Sequence, residues 1–129
     1  MPISLVDLFA SFAALTGSKL PSADVGAEDS HNVLPSFFYD NSSAPLRPAI
    51  VGHSGWGVFS IRKGPWKWIE GKHSTKERPK GGDDQLVPQL YNLAEDPGER
   101  HNVLSQHPEI AAELSALLET WRKQGRSRP

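Results

Sequence analysis

The sequence predicts an α+β fold, with a small antiparallel sheet of about four strands packed by a C-terminal helix. Three patterns support this prediction. Apolar residues recur at helical spacing near both ends of the chain, apolar and polar residues alternate between them, and turns containing glycine and proline separate the alternating segments. A chain of 129 residues can form one ordinary domain or a piece of a larger one.

The first predicted element is a helix over residues 5–16. Ser4 and Asp7 have the spacing of a capping box, in which side-chain oxygens accept hydrogen bonds from amides of the first turn. Gly17 can end the helix. Five apolar residues recur at helical spacing between these signals: Leu5, Leu8, Phe9, Phe12 and Leu15.

The sheet is predicted from short segments that follow a connector over residues 18–47, where prolines among small polar residues favour extended chain. Residues 49–51, 57–62 and 66–69 read as strands, and Lys63-Gly64-Pro65 forms a turn between the last two. A fourth strand within residues 86–93 ends at the turn-forming run over residues 95–98. Residues 71–85 lack large apolar side chains and predict a solvated loop.

The last predicted element is a helix over residues 108–124. Pro108 suits the first helical position, because its missing N–H would have no partner there. Gly125 closes the helix. One apolar stripe runs along it: Ile110, Leu114, Leu117, Leu118 and Trp121.

The composition excludes several classes of site. Because 14 basic residues nearly balance 15 acidic ones, no overall field attracts the chain to nucleic acid or an anionic membrane. The lack of cysteine excludes disulfides, thiolate zinc sites and a cysteine nucleophile. No apolar run reaches the roughly 20 residues of a membrane span. The first basic residue, Lys19, follows the N-terminal apolar stretch, so no signal-peptide pattern is recognised and no compartment is assigned.

Histidine is the main candidate for chemistry. His53 lies in a glycine-containing run with Trp56, between two predicted strands, where the backbone can turn sharply and bring an imidazole beside an indole. His53 and Trp56 could line a substrate-binding rim, whereas the blander alternative is a strand connection with Trp56 packed on the sheet. Ordinary structural roles are expected for the other histidines, none of which has zinc-binding spacing: His31, His73, His101 and His107.

Other polar clusters indicate solvated surface rather than sites. The basic residues Arg62, Lys63 and Lys67 could bind an anion, but such residues more often form a solvated sheet face. The acidic pairs at 83–84 and 95–96 lie in polar turns, where carboxylates commonly cap the backbone, so no metal site is predicted. The four tryptophans indicate core anchors rather than a carbohydrate-stacking platform.

Three motifs carry a resemblance to a known family. Residues 55–69 (GWGVFSIRKGPWKWI) and residues 89–99 (QLYNLAEDPGE), followed by Asn102, are similar to the "G-x-F-x-I-R-x-G-x-W-K-L-I" and "L-Y-N-L-x-x-D-P-x-E" runs of type I sulfatases, the formylglycine-dependent arylsulfatases. Upstream, residues 6–21 resemble that family's "D-x-x-x-T-x-x-x-x-x-G-x-x-x-P" helix, with Ala10 and Ser11 in place of its usual Pro-Thr. The resemblance covers nearly the whole chain.

The resemblance implies the C-terminal portion of a sulfatase, which is a sulfuric ester hydrolase. Residues 1–47 would be the tail of the larger, alkaline-phosphatase-like sulfatase domain, and residues 48–129 the C-terminal subdomain. In the family, a Cys or Ser in "C/S-x-P-x-R" becomes formylglycine, Asp and Asn side chains hold calcium, and basic residues hold the sulfate. Calcium and formylglycine are therefore implied for the intact enzyme, and we expect no cofactor in this chain.

One string satisfies the bare nucleophile pattern: residues 43–47, Ser43-Ala44-Pro45-Leu46-Arg47. In the family this motif opens a helix, whereas here Pro48 follows directly and a strand-like segment comes next, which disfavours a helix. We therefore assign no catalytic residue and no metal ligand.

The predicted function is a structural part of a sulfatase that is inactive alone, with His53 and Trp56 as rim residues. Its expected partner is the missing main domain, and the intact enzyme would act on a sulfated small molecule or glycan, with neither nucleic acid nor membrane as partner. The alternative is a stand-alone module that uses Trp56 and the basic strand face to bind a sulfated glycan or a partner protein.

Overall fold

The computed structural model describes residues 3–38, 46–55, 57–71 and 87–129. Its elements are, in chain order, α1 (Asp7–Leu15), α2 (Pro35–Phe38), β1 (Ile50–His53), β2 (Phe59–Lys63), β3 (Trp66–Ile69), β4 (Gln89–Asn92) and α3 (Pro108–Gln124). The strands form one sheet in the order β1-β2-β3-β4. This architecture confirms the predicted α+β fold with a four-stranded antiparallel sheet and a helix toward each end of the chain.

The chain divides into two compact units. The first comprises Met1–Ile50 and Thr120–Pro129, and the second comprises Val51–Glu119. The family-based boundary between residues 47 and 48 stays a prediction. Among the described residues, no helix is both long enough and apolar enough to span a bilayer.

In the first unit, α1 begins two residues later than predicted. The Ser4 N–H donates to the Asp7 carboxylate at 2.8 Å, as a capping box predicts, and the Asp7 N–H donates to the Ser4 carbonyl at 3.0 Å. These two bonds close a turn that lies before α1. The capping box therefore does not form the first turn of the helix. Gly17, with φ of 69°, follows the helix end.

The connector of the first unit contains a short helix that the sequence analysis did not predict. The backbone N–H and the hydroxyl of Ser36 both donate to the Val33 carbonyl, at 3.0 and 2.7 Å, at the start of α2. Proline is compatible with extended chain, but Pro35 also suits a first helical turn, where no N–H is needed. The prediction of an extended connector is wrong over Pro35–Phe38.

The C-terminal tail is bound to this connector within the first unit. The Ser127 N–H donates to the Asp29 carboxylate at 2.8 Å, and the Arg128 N–H donates to the Glu28 carbonyl at 3.0 Å. The Arg128 guanidinium also donates to the Pro21 carbonyl. These bonds explain why residues 120–129 group with the N-terminal segment.

The second unit has an apolar core built on the sheet. Antiparallel pairing places Ile61 opposite Trp68, and Trp68 opposite Leu90, so one buried row crosses β2, β3 and β4. In the second unit, α3 adds Leu114 and Leu118, which are 1% and 2% exposed. The predicted helix over 108–124 is confirmed residue for residue, and the predicted strands agree within a few residues at each end. Most of the predicted polar loop over 71–85 lies outside the described residues.

Candidate functional site

His53 is exposed at the end of β1, where the sequence analysis expected a rim residue. Its ring meets the Phe59 ring nearly edge-on, with 4.8 Å between the centroids and 64° between the planes. This contact is with the first residue of the neighbouring strand β2. The imidazole is therefore supported on one side and open to water elsewhere.

A tight connection follows His53. The Ser54 N–H donates to the Val58 carbonyl at 2.9 Å, the Gly57 N–H donates to the Ser54 carbonyl at 3.0 Å, and the Ser54 hydroxyl accepts from the Val58 N–H at 3.1 Å. Gly57 has φ of 81°, which a β-carbon would disfavour. Trp56 lies outside the described residues, so its place beside His53 stays a prediction.

Gly52, next to His53 in β1, lies close to a side chain of β2. A β-carbon at Gly52 would lie 2.8 Å from the Ser60 hydroxyl oxygen, which is closer than real β-carbons come. A side chain at position 52 would therefore require the Ser60 hydroxyl to move. Gly52 precedes His53 in β1, so this close approach to β2 lies directly beside the exposed imidazole.

The first unit holds a buried ion pair that the sequence analysis missed. The Arg47 guanidinium donates to the Asp7 carboxylate at 2.6 Å, with the side chains 5% and 0% exposed. Arg47 also donates through Nε to the Ala49 carbonyl at 2.9 Å, and Asp7 accepts the His31 N–H at 3.0 Å. Because both charges have several partners, the pair cross-links α1 to the segment before β1.

This pair assigns a structural role to one residue of the rejected nucleophile string. Arg47 is the last residue of Ser43–Arg47, and its guanidinium is committed to Asp7 and Ala49. Ser43 lies outside the described residues. The one sequence signal for the pair was an acidic residue on an otherwise apolar helix, which alone does not identify a partner 40 positions away.

Two buried serines complete the polar side of α1. The Ser11 hydroxyl donates to the Asp7 carbonyl at 2.7 Å and accepts the Val33 N–H at 3.1 Å. The Ser30 hydroxyl donates to the Val6 carbonyl at 2.6 Å and accepts the Ala10 N–H at 2.8 Å. Hydroxyls that both donate and accept satisfy backbone groups of α1 and of the connector.

His31 lies beside the ion pair. Burial lowers the pKa of its imidazole, the Arg47 guanidinium lowers it further, and the Asp7 carboxylate acts in the opposite direction. Its Nε2 is buried and has no hydrogen-bond partner among the described residues. This site favours the neutral imidazole.

The basic residues of the sheet have partners. Lys63 Nζ lies 2.6 Å from a carboxylate oxygen of Glu113, and Lys67 Nζ lies 2.8 Å from both carboxylate oxygens of Glu99. Arg62 donates through Nε to the Gly64 carbonyl at 3.2 Å. On the sheet face that was a candidate for anion binding, a neighbouring carboxylate therefore neutralises the charge of each lysine.

Asp96, in the turn after β4, binds backbone N–H groups. Asp96 accepts the N–H groups of Arg100 and His101 at 2.7 and 2.8 Å, and these bonds, with the nearby His101, hold its pKa below the usual range. Within residues 3–38, 46–55, 57–71 and 87–129, no group of three His, Asp or Glu could hold a metal ion. These residues do not fit the calcium that the family resemblance implies.

The first unit also has an open cavity of about 390 Å³. Asp24, Glu28 and Arg126 line it, and Arg126 lies 3.3 Å from the Asp24 carboxylate. Because the cation of this cavity is already paired, the arrangement offers no clamp for a sulfate.

No protein-family model matches the chain, whereas individual sulfatases do. The N-acetylgalactosamine-6-O-sulfatase of Bacteroides thetaiotaomicron is 38% identical over 121 residues, which cover 91% of this chain and 23% of the relative. Arylsulfatase A of Bos taurus is 30% identical over 125 residues, covering 85% and 24%. A solved Bacteroides thetaiotaomicron structure, BT33336S-sulf, from work on the metabolism of multiple glycosaminoglycans, matches with a TM-score of 0.72 and 34% identity, covering 91% and 24%.

These matches are all with sulfatases. The chain belongs to the sulfatase family, which confirms the resemblance predicted from its motifs. It spans about a quarter of the length of the relatives it matches, in agreement with the C-terminal portion of a sulfatase.

Proposed function

We propose that this chain is the C-terminal subdomain of a sulfatase and contributes part of the substrate-binding wall. The observation that carries the proposal is the exposed His53 ring, which is supported by Phe59 at the end of a strand. A ring nitrogen in such a position can hydrogen-bond a sugar hydroxyl or a sulfate oxygen. Trp56, three residues further on, is proposed as a second rim residue that stacks on a sugar ring.

The rest of the enzyme would supply the reacting groups. Hydrolysis of a sulfate ester requires a nucleophile, a cation and hydrogen-bond donors that converge on one anion. The described part of this chain offers no three-ligand metal cluster, and its sheet lysines are paired with carboxylates. Calcium and formylglycine are therefore assigned to the intact enzyme, and the role of this chain is to position the substrate.

Residues 1–47 are proposed to extend the main sulfatase domain, and residues 48–129 to form the subdomain. The substrate class is proposed to be a sulfated glycan. Support comes from the relative named as an N-acetylgalactosamine-6-O-sulfatase, which matches 91% of this chain.

The test is a chimeric sulfatase, in which this chain replaces the matching part of the Bacteroides thetaiotaomicron N-acetylgalactosamine-6-O-sulfatase. Hydrolysis of 6-sulfated N-acetylgalactosamine is measured for the unmodified chimera and for its His53→Ala, Trp56→Ala and His101→Ala variants. We expect His53→Ala to raise KM by roughly 10- to 100-fold, because the variant loses a hydrogen bond to a charged group of the substrate. His101→Ala is the matched control, since that histidine is exposed in a turn beside Asp96, and it should leave KM unchanged. An active chimera that is indifferent to His53→Ala contradicts the rim role.

The isolated chain provides a second test. With calcium present, we expect no turnover of a sulfate ester. Turnover that disappears in the Ser43→Ala variant would show that the string at residues 43–47 had been wrongly rejected.

The stand-alone binding module remains the rival. The pairs Lys63–Glu113 and Lys67–Glu99 disfavour it, because the lysines that would meet a sulfated glycan already have carboxylate partners. Saturable binding of a sulfated glycan to the isolated chain, weakening with added salt, would favour this rival over the subdomain role.

A further inference from the structure

Helix α1 is amphipathic with its polar side inward. Its buried residues are Asp7, Ala10 and Ser11. The opposite side, together with the turn just before the helix, carries four large apolar residues, which are 86%, 59%, 57% and 59% exposed: Leu5, Phe9, Phe12 and Leu15. We call these four residues the α1 apolar face. A surface helix of a complete domain normally shows the reverse arrangement.

The polar contacts prevent α1 from turning this face inward. Asp7 is held by Arg47 at 2.6 Å, and Ser11 bridges the Asp7 carbonyl and the Val33 N–H. The Ser30 hydroxyl accepts from the Ala10 N–H on the same side. Rotation about the helix axis would break all of these bonds and leave the Arg47 charge buried without its carboxylate. The outward direction of the α1 apolar face is therefore built into the first unit.

The α1 apolar face is large for an exposed surface. At about 200 Å² per large side chain, the four exposed fractions amount to roughly 500 Å² of apolar area. Contiguous patches of this size on soluble proteins commonly mark interaction surfaces. The area falls short of the roughly 800 Å² that each partner of a stable dimer buries, so a second copy of this chain is a poor occupant by itself.

A lipid surface also fits poorly. Helices that lie on membranes present basic residues on the polar side, next to the lipid headgroups. The polar side of α1 is buried and acidic, and its last turn contains no basic residue.

The structure assigns the α1 apolar face as a docking surface for the main sulfatase domain, meaning the three quarters of a sulfatase to which this chain does not correspond. The match covers 91% of this chain but only 23% of the relative, so about three quarters of that protein has no counterpart in this chain and can supply the partner. The small apolar core of the first unit agrees with this role. Among the described residues, the first unit buries the apolar side chains of Ala10, Ala23, Val33 and Ala49, whereas the second unit buries leucine, isoleucine and tryptophan. This inference rests on the proposed subdomain role and adds the surface that the partner would cover.

The first test compares the isolated chain with the chimeric sulfatase. The double variant Phe9→Gln/Phe12→Gln removes the two aromatic rings and places a residue of higher helix propensity at both positions. Val25→Gln is the matched control, because Val25 is 79% exposed in the same unit but lies outside α1. In the isolated chain, both variants should leave Tm unchanged. In the chimera, the double variant should lower Tm by at least about 5 °C, while the control should not.

The second test measures accessibility and needs no turnover. Since this chain has no cysteine, a single Phe12→Cys or Val25→Cys variant can be labelled with a maleimide and quantified by peptide mass spectrometry. Labelling at position 12 should be at least tenfold slower in the chimera than in the isolated chain, and labelling at position 25 should be equally fast in both.

Three results would overturn the assignment. The first is equal labelling at position 12 in both proteins. The second is an isolated chain that forms a dimer, if Phe9→Gln/Phe12→Gln abolishes the dimer but leaves the Tm of the chimera unchanged. The α1 apolar face would then join two copies of this chain. The third is a chimera that fails to assemble with the unmodified chain. Protection at position 12 combined with an unchanged KM in His53→Ala would support the docking surface and reject only the rim.

Discussion

Breaking the buried pair Asp7–Arg47 should lower the stability of the first unit far more than breaking an exposed ion pair of the same N–O distance. The informative changes are Arg47→Met, which keeps the length of the stem but removes the charge, and Asp7→Asn, which keeps the shape of the side chain. The pair Lys63–Glu113 is a natural control, because its N–O distance is also 2.6 Å but its side chains are 49% and 59% exposed.

The magnitude follows from burial. Removing one partner of a buried ion pair costs about 3–5 kcal/mol, because the remaining charge keeps its desolvation penalty without its counter-charge. After Arg47→Met, the Asp7 carboxylate would retain the N–H groups of Ser4 and His31, so we expect about 3 kcal/mol, at the lower end of that range. The exposed pair should contribute about 0.2–1 kcal/mol, which we expect Glu113→Gln to reveal. The double variant at 7 and 47 should cost about 2 kcal/mol less than the sum of the single changes, because the two side chains are coupled.

The assay is native-state hydrogen exchange, resolved by mass spectrometry on peptides from residues 3–38 and 87–119. Arg47→Met should speed the exchange of the first peptides by roughly 100-fold, which corresponds to about 3 kcal/mol, and leave the second set unchanged. Equal effects of Arg47→Met and Glu113→Gln, or strict additivity in the double variant, would refute the interpretation of the pair as a buried structural cross-link.

Two further changes probe local features of the fold. The pKa of His31 is lowered by burial and by the neighbouring guanidinium, so the unfolded chain takes up a proton more readily, and the free energy of unfolding should fall as the pH drops below about 6.5. In urea titrations at about pH 7.5 and pH 5.5, His31→Gln should flatten this dependence, and an identical slope in the variant and the unmodified chain would contradict the assignment. Gly71→Ala should destabilise the second unit by more than 2 kcal/mol, since φ is 67° and a β-carbon would overlap the Val87 backbone. Gly64→Ala, at φ of 58° but with open space around it, should cost only about 1 kcal/mol in thermal unfolding, and equal losses would show that the overlap is relieved.

Periodicity predicted the elements well where a single face meets a core. The last helix agrees at both ends, because Pro108 and Gly125 punctuate a clear apolar stripe. The third strand agrees at both ends for a similar reason, since Gly64 closes the turn before it. The short helix at Pro35–Phe38 was missed because proline is compatible with both extended chain and a first helical turn, and local hydrogen bonds to Val33 decided between them.

The candidate site was predictable in part. The exposure of His53 at a strand end follows from the glycines that flank it, and these are visible in the sequence. Its support by Phe59 depends on the pairing of two strands, which no local pattern specifies. The direction of α1 was the larger omission. Apolar spacing indicated a helix with a strong apolar face, but it did not reveal that this face points to solvent.

The sequence by itself determined the kind of fold, the extent of the last helix and the family. These features depend on short-range signals: the period of apolar residues, the residues that begin and end helices, and motifs of about ten residues. Only the tertiary structure decided which side of α1 is buried. That outcome depends on Arg47, 40 positions away, because a buried carboxylate is stable where a counter-charge and amide donors meet it. Contacts at such separation are set by how the whole chain folds, so the apolar periodicity of a nine-residue helix does not encode them.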